Sequence, residues 1–173
     1  MPGLDRPFSV DLRGLEDGRH EITLAEPGAA LELPADEVSV DGAVILDLVL
    51  GISGTLITAR GQVRAKVRLF CSRCLEPFTE DTEGSFETVV RRTGENLRPE
   101  DEDDIPVYLG DDWAGFDAAV RESLILSIPM KPLCGESCRG LCPVCGGNLN
   151  ETECTCSREG SDPRWEGLRT LLD

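Results

Sequence analysis

Apolar and polar residues alternate most cleanly between Gln62 and Phe70, where Val63, Ala65, Val67 and Leu69 take turns with Arg64, Lys66 and Arg68. A period of two predicts a β-strand with one apolar face and one basic face. Residues 8–12 and 20–24 predict shorter strands, with Gly14, Asp17 and Gly18 as turn residues between them. Residues 44–50 form a run of Val, Ile and Leu interrupted only by Asp47, with Gly42 before it and Gly51 after it. Gly51 and Gly54 break the run before residues 55–58 resume it, which predicts a bulge or a hairpin near Gly51-Ile52-Ser53-Gly54. Residues 85–92 add another strand. Joined by short connections, these pieces predict an antiparallel sheet curling toward a small barrel or sandwich.

Residues 93–104 are polar and end in five consecutive carboxylates, Glu100-Asp101-Glu102-Asp103-Asp104. A solvated, self-repelling loop accounts for them better than a magnesium site, because nothing rigid holds those oxygens. Asp111 or Asp112 can then cap a helix. Trp113, Phe116, Val120 and Leu124 follow at spacings of three and four, predicting an amphipathic helix over about 113–127 that Pro129 stops. The predicted class is α+β: a mostly antiparallel sheet, barrel- or sandwich-like, with one amphipathic C-terminal helix and a small Cys-rich metal-binding module. The β-rich domain occupies 1–130, the module 131–157 and a tail 158–173.

Composition narrows the function. The 173 residues carry 17 basic and 33 acidic side chains, a formal net charge of -16. Residues 1–130 hold 12 basic and 26 acidic groups, whereas residues 131–173 hold 5 and 7, so the acid sits on the sheet domain. Such a surface repels phosphate backbones at long range and suits a basic protein partner. The exception is the stretch from Ala59 to Leu75, which has no acidic residue and contains Arg60, Arg64, Lys66, Arg68 and Arg73. Cations about 6–7 Å apart along a strand face can meet successive phosphates, making these five the candidate RNA contacts. The competing reading pairs them across strands with carboxylates such as Asp47, Glu83 or Glu87, and the acid surplus favours it. The start of the chain, Met-Pro-Gly-Leu-Asp-Arg, lacks the basic and apolar regions of a secretory signal, and no apolar run reaches the roughly 20 residues of a membrane span. The expectation is a soluble cytoplasmic protein.

Eight cysteines are the strongest chemical feature. In a reducing compartment they point to metal rather than disulfides. Cys134, Cys138, Cys142, Cys145, Cys154 and Cys156 fall within 23 residues and are the candidate metal ligands. Cys142-Pro143-Val144-Cys145-Gly146 has the form of a zinc knuckle: two thiolates three residues apart reach one tetrahedral ion at about 2.3 Å. Gly146 permits the positive φ such a turn needs. The second pair can come from Cys154 and Cys156 or from Cys134 and Cys138, and one zinc with two spare thiols is the simpler expectation. Zinc closed by four thiolates has no open position, so a structural Zn2+ is expected. The module has no apolar run of its own, and metal would supply its folding energy. Cys71 and Cys74 form a separate Cys-x-x-Cys pair: a tight turn, a contribution to a second metal site, or a redox pair. No helix start is predicted there to depress a thiol pKa.

Three segments, in this order, resemble the YceD family of large ribosomal RNA subunit accumulation proteins. They are Cys71-Ser72-Arg73-Cys74-Leu75-Glu76-Pro77-Phe78, the stretch from Glu122 through Ile128-Pro129-Met130-Lys131-Pro132 to Cys134, and Cys138-Arg139-Gly140-Leu141-Cys142-Pro143-Val144-Cys145-Gly146-Gly147-Asn148-Leu149-Asn150. The resemblance implies a role in synthesis, processing or stability of 23S ribosomal RNA and no enzymatic activity. It implies contact with a large-subunit precursor, through a basic ribosomal protein, 23S ribosomal RNA or both.

The alternatives are a cytosolic thiol–disulfide redox protein using Cys71 and Cys74, and a zinc-stabilised adaptor in another assembly. No small-molecule substrate or membrane is expected. A hydrolase or kinase is improbable, since His20 is the single imidazole and neither a phosphate-binding Gly-x-x-x-x-Gly-Lys loop nor a Gly-x-Ser-x-Gly elbow occurs.

Overall fold

The computed structural model describes residues 6–31, 33, 38–91, 107–109 and 113–157. The acidic loop at 93–104, the caps proposed at Asp111 and Asp112, and the tail 158–173 lie outside them.

The alternating segment forms the central strand. β4 (Ala43–Ser53) and β5 (Leu56–Phe70) make a hairpin whose register, Ser53 opposite Leu56, leaves Gly54-Thr55 as a two-residue turn. Gly51 stays paired with both Arg19 and Thr58, so the glycine-interrupted run is a hairpin and not a bulge. β2 (Gly18–Pro27) pairs with β4, while β6 (Pro77–Arg91) runs along all of β5. β3 (Ser39–Val40) pairs with β5 beyond the end of β4. Every pairing is antiparallel.

A second, three-stranded sheet is built from β1 (Ser9–Asp11), β8 (Trp113–Gly115) and β7 (Tyr108–Leu109), in the order β1-β8-β7. Among the described residues β2 and β6 do not pair, so no barrel closes, and the sandwich half of the expectation is the closer one.

Period-two patterning decides what is buried. Ile57, Ala59, Val63 and Val67 of β5, with Val44, Leu46, Leu48 and Leu50 of β4, are almost wholly excluded from solvent. They share one core with Phe8, Val10 and Leu12 beneath and Phe116, Val120 and Leu124 beyond. At the usual 25 cal/mol per Å2 each such Val or Leu contributes about 1.5–3 kcal/mol to folding.

The helix, α1, runs Asp117–Ser127, shorter than the expected 113–127. Trp113, Ala114 and Gly115 instead pair with Asp11, Val10 and Ser9. Spacings of three and four between Trp113, Phe116 and Val120 cannot tell a helix from a strand leading into one. The unpaired edge of β1 claimed this segment, and the Phe116 N–H donates to the Phe8 carbonyl at 3.0 Å before the helix begins. α1 packs on β6 because position 84 is glycine: a Cβ there would run into the Ser123 carbonyl. Thr82 and Ser127 meet through their hydroxyls at 2.8 Å, and the Phe86 and Phe116 rings stack at 6.1 Å. Ile128 is extended, as the residue before a proline prefers, and the helix ends there. Among the described residues no helix is long and apolar enough to cross a membrane.

Candidate metal centre

The eight thiols are all free and fall into two sets of four. An inner set holds Cys71, Cys74, Cys134 and Cys138; an outer set holds Cys142, Cys145, Cys154 and Cys156. Within each set the sulfurs lie within 4.8 Å of one another. The expectation of one ion with two spare thiols gives way to two four-sulfur groups. The reason is long-range: the β5–β6 connection delivers Cys71 and Cys74 to the module, and sequence spacing does not show that.

Both Cys-x-x-Cys turns have the same backbone hydrogen bonding. The Leu75 N–H donates to the Cys71 carbonyl at 2.9 Å, and the Gly146 N–H to the Cys142 carbonyl at 2.8 Å. In the reverse direction Cys71 N–H donates to Glu76 (3.0 Å) and Cys142 N–H to Gly147 (2.8 Å). Arg73 N–H points at Cys71 Sγ and Val144 N–H at Cys142 Sγ, both at 3.4 Å. The residue after the second cysteine has positive φ in each, 63° at Leu75 and 73° at Gly146. Gly146 meets this requirement without steric cost; Leu75 meets it with a β-carbon in the left-handed region.

The donor chemistry fits a tetrahedral cation. Cys71 and Cys138 sulfurs are 3.8 Å apart and Cys74 and Cys134 3.7 Å. In the outer set Cys145–Cys154 is 3.7 Å and Cys142–Cys154 3.3 Å. A zinc ion with thiolates at about 2.3 Å has sulfur–sulfur edges near 3.8 Å.

Electrostatics point the same way. Backbone N–H groups, that of Cys134 foremost, bring Cys71 down to about 6, and those of Cys145 and then Val144 do so for Cys142. Their neighbours resist: Cys134 is pushed up to about 12, first by Cys138, and Cys156 to about 12, first by Cys154. Four sulfurs this close cannot all ionise unless a cation replaces the protons.

The inner set is the better buried. Cys71, Cys74 and Cys138 form an apolar cluster with Phe78, Leu133 and Leu141 around it. In the outer set Cys145 and Cys156 are exposed. The module is tied to the hairpin by Ser72 N–H to the Pro132 carbonyl (2.8 Å) and Leu141 N–H to the Arg73 carbonyl (3.1 Å). Arg73, a candidate RNA contact, uses Nη1 to hold the carbonyls of Glu136 (3.0 Å) and Cys138 (2.9 Å).

The remaining candidate RNA contacts line the open face of the large sheet. Arg60 pairs with Glu87 at 2.8 Å, Lys66 with Asp81 at 3.8 Å, and Arg64 with Asp47. Arg68 has no ion pair among the described residues and faces Thr79 and Ser39. Cross-strand pairing with carboxylates thus describes three of the five cations. Spacing assigned no role to Asn148 or Asn150, yet Asn150 Nδ2 donates to Cys138 Sγ at 3.4 Å. The sequence signal was their place, with Leu149, in the turn between two outer ligands.

An uncharacterized protein of Mycobacterium tuberculosis is 28% identical over 96% of this chain and 82% of its own length. In Zea mays, the chloroplastic large ribosomal RNA subunit accumulation protein YCED homolog 1 is 28% identical over 87% of this chain and 56% of its own. Its Arabidopsis thaliana counterpart is 26% identical over 65% and 43%. The chain therefore spans about half the length of the plant relatives. No solved structure matches. The family model described as large ribosomal RNA subunit accumulation protein YceD matches residues 59–172, from the central strand through both thiol sets, and the chain belongs to the YceD family.

Proposed function

We propose that this protein is a non-enzymatic factor in large-subunit biogenesis that supports accumulation of 23S ribosomal RNA, through its synthesis, processing or stability. The observation that carries this reading is family membership across residues 59–172, which takes in both Cys-x-x-Cys turns. The plant relatives' names call those proteins homologs of a large ribosomal RNA subunit accumulation protein.

Two structural Zn2+ ions fit the donor sets. Four thiolates close each tetrahedron, so neither ion keeps a position for a substrate. A thiol–disulfide role for Cys71 and Cys74 is less well supported, because both sulfurs are buried and belong to a four-sulfur group.

The open sheet face supports contact with a basic ribosomal protein more than direct phosphate binding. Its carboxylates Asp47, Asp81 and Glu87 already engage three of its four cations, all but Arg68, so a phosphate would have to displace them there. With a net charge of -16, electrostatic steering favours a basic partner.

Depletion in the source cell, with 23S and 16S ribosomal RNA quantified together, tests the reading. A fall in the 23S:16S ratio, with the protein recovered in large-subunit precursors, is expected. An unchanged ratio would overturn it.

A further inference from the structure

The two thiol sets are not independent. Asn150 lies on the outer loop, between ligands Cys145 and Cys154, yet its side chain reaches the inner set. Its Nδ2 donates to Cys138 Sγ at 3.4 Å and to Asn148 Oδ1 at 2.9 Å. Its Oδ1 accepts the Arg139 N–H at 2.8 Å. That last bond fixes the amide orientation: the oxygen must face the Arg139 donor, so the nitrogen faces sulfur. Asn148 Oδ1 also accepts the Asn150 N–H at 3.0 Å, holding the side chain in place.

Resting on the two-metal reading above, we propose that Asn150 makes the outer metal site depend on the inner one. The physical basis is the place of Cys138, an inner-set residue whose sulfur anchors a side chain of the outer loop. An ion in the inner set would hold that sulfur in one position and so fix the bond that positions the 148–150 turn, from which Cys154 and Cys156 return to Cys142 and Cys145. Burial gives the same order. The inner set has an apolar shell, is anchored by the β5–β6 hairpin and exposes one thiol, Cys134, whereas the outer set exposes two and buries only Cys142. Metal enters the inner site first and leaves the outer site first.

Full-length protein loaded with Zn2+ is challenged with excess chelator and release is followed with a colorimetric zinc indicator. Wild type is expected to release one equivalent quickly and one slowly. Cys154→Ser/Cys156→Ser should keep one slow equivalent, and Cys71→Ser/Cys74→Ser should keep neither. Because that last variant can misfold, Asn150→Ala and Asn150→Asp carry the decisive comparison. Aspartate still accepts from Arg139 but cannot donate to sulfur.

Both variants should bind two equivalents at saturating Zn2+ and release the fast, outer equivalent about 10-fold faster than wild type; a change confined to the slow, inner equivalent would overturn the coupling, because the lost hydrogen bond would then act on its own ligand Cys138 alone. The Co2+-loaded forms should show the change in their thiolate charge-transfer bands. Release at wild-type rates in both variants, with two ions bound, would overturn the coupling alone. Failure to bind any metal would overturn the underlying metal reading as well.

Discussion

Leu75 and Gly146 occupy the same position in equivalent turns, with φ of 63° and 73°. A β-carbon in this region costs about 1–2 kcal/mol. Gly146→Val should therefore weaken outer-site zinc binding about 10-fold, read by competition with a chromogenic chelator. Leu75→Gly relieves the strain but frees the unfolded chain, so stability should stay within about 1 kcal/mol of wild type with two metals retained. Loss of the inner metal in that variant would show that the Leu75 side chain is needed there. Asp47 is another local case. Its carboxyl is held below the ordinary value by the Thr23 hydroxyl first and then by Arg64. A lowered folded-state pKa stabilises above the unfolded value of 3.8, and the contribution is lost as pH falls through the lowered value. Between neutral pH and about pH 3, Asp47→Asn should narrow the drop in thermal midpoint slightly, since the group is only half-buried.

At the level of elements, the lesson of α1 is that spacing names a face but not a boundary. Val120 and Leu124 do point into the core, as their periodicity requires. Leu124→Ala should cost about 2–5 kcal/mol in urea unfolding, because a Leu with no exposed surface leaves a cavity against the sheet. Leu126→Ala on the same helix, where the residue is 78% exposed, should cost less than about 0.5 kcal/mol. Equal effects would mean that the helix is docked by another face. The β5 strand was legible for the opposite reason. Its strict alternation leaves one register in which Val63 and Val67 are buried and the cations face out. What alternation left open was whether those cations were unpaired, and strand order answered it for Arg60, Arg64 and Lys66 by setting β4 and β6 carboxylates beside them.

For the whole molecule, the proposed metal sites and the hydrophobic core would divide the work. The sheets and α1 share one core, while the segment holding six of the thiols has only the inner sulfurs and a few apolar neighbours to pack on. Chelation of both ions should leave the sheet's far-ultraviolet circular dichroism almost unchanged and open new protease cleavages between residues 131 and 157. Cooperative loss of the sheet on chelation would show that the metals hold the entire fold.

The sequence by itself determined the longer strands, a break at Gly51–Gly54, an acidic first 130 residues and a thiol-rich end, because alternation, charge and Cys-x-x-Cys spacing are local signals. Tertiary structure alone decided how the thiols are shared. Cys71 and Cys134 are 63 positions apart in the chain, and they become neighbours in one set only because the β5–β6 hairpin turns at that spot and the segment after α1 crosses it. The Asn150 bond to Cys138 was hidden for the same reason: it joins two sites that spacing had treated as one supply of ligands.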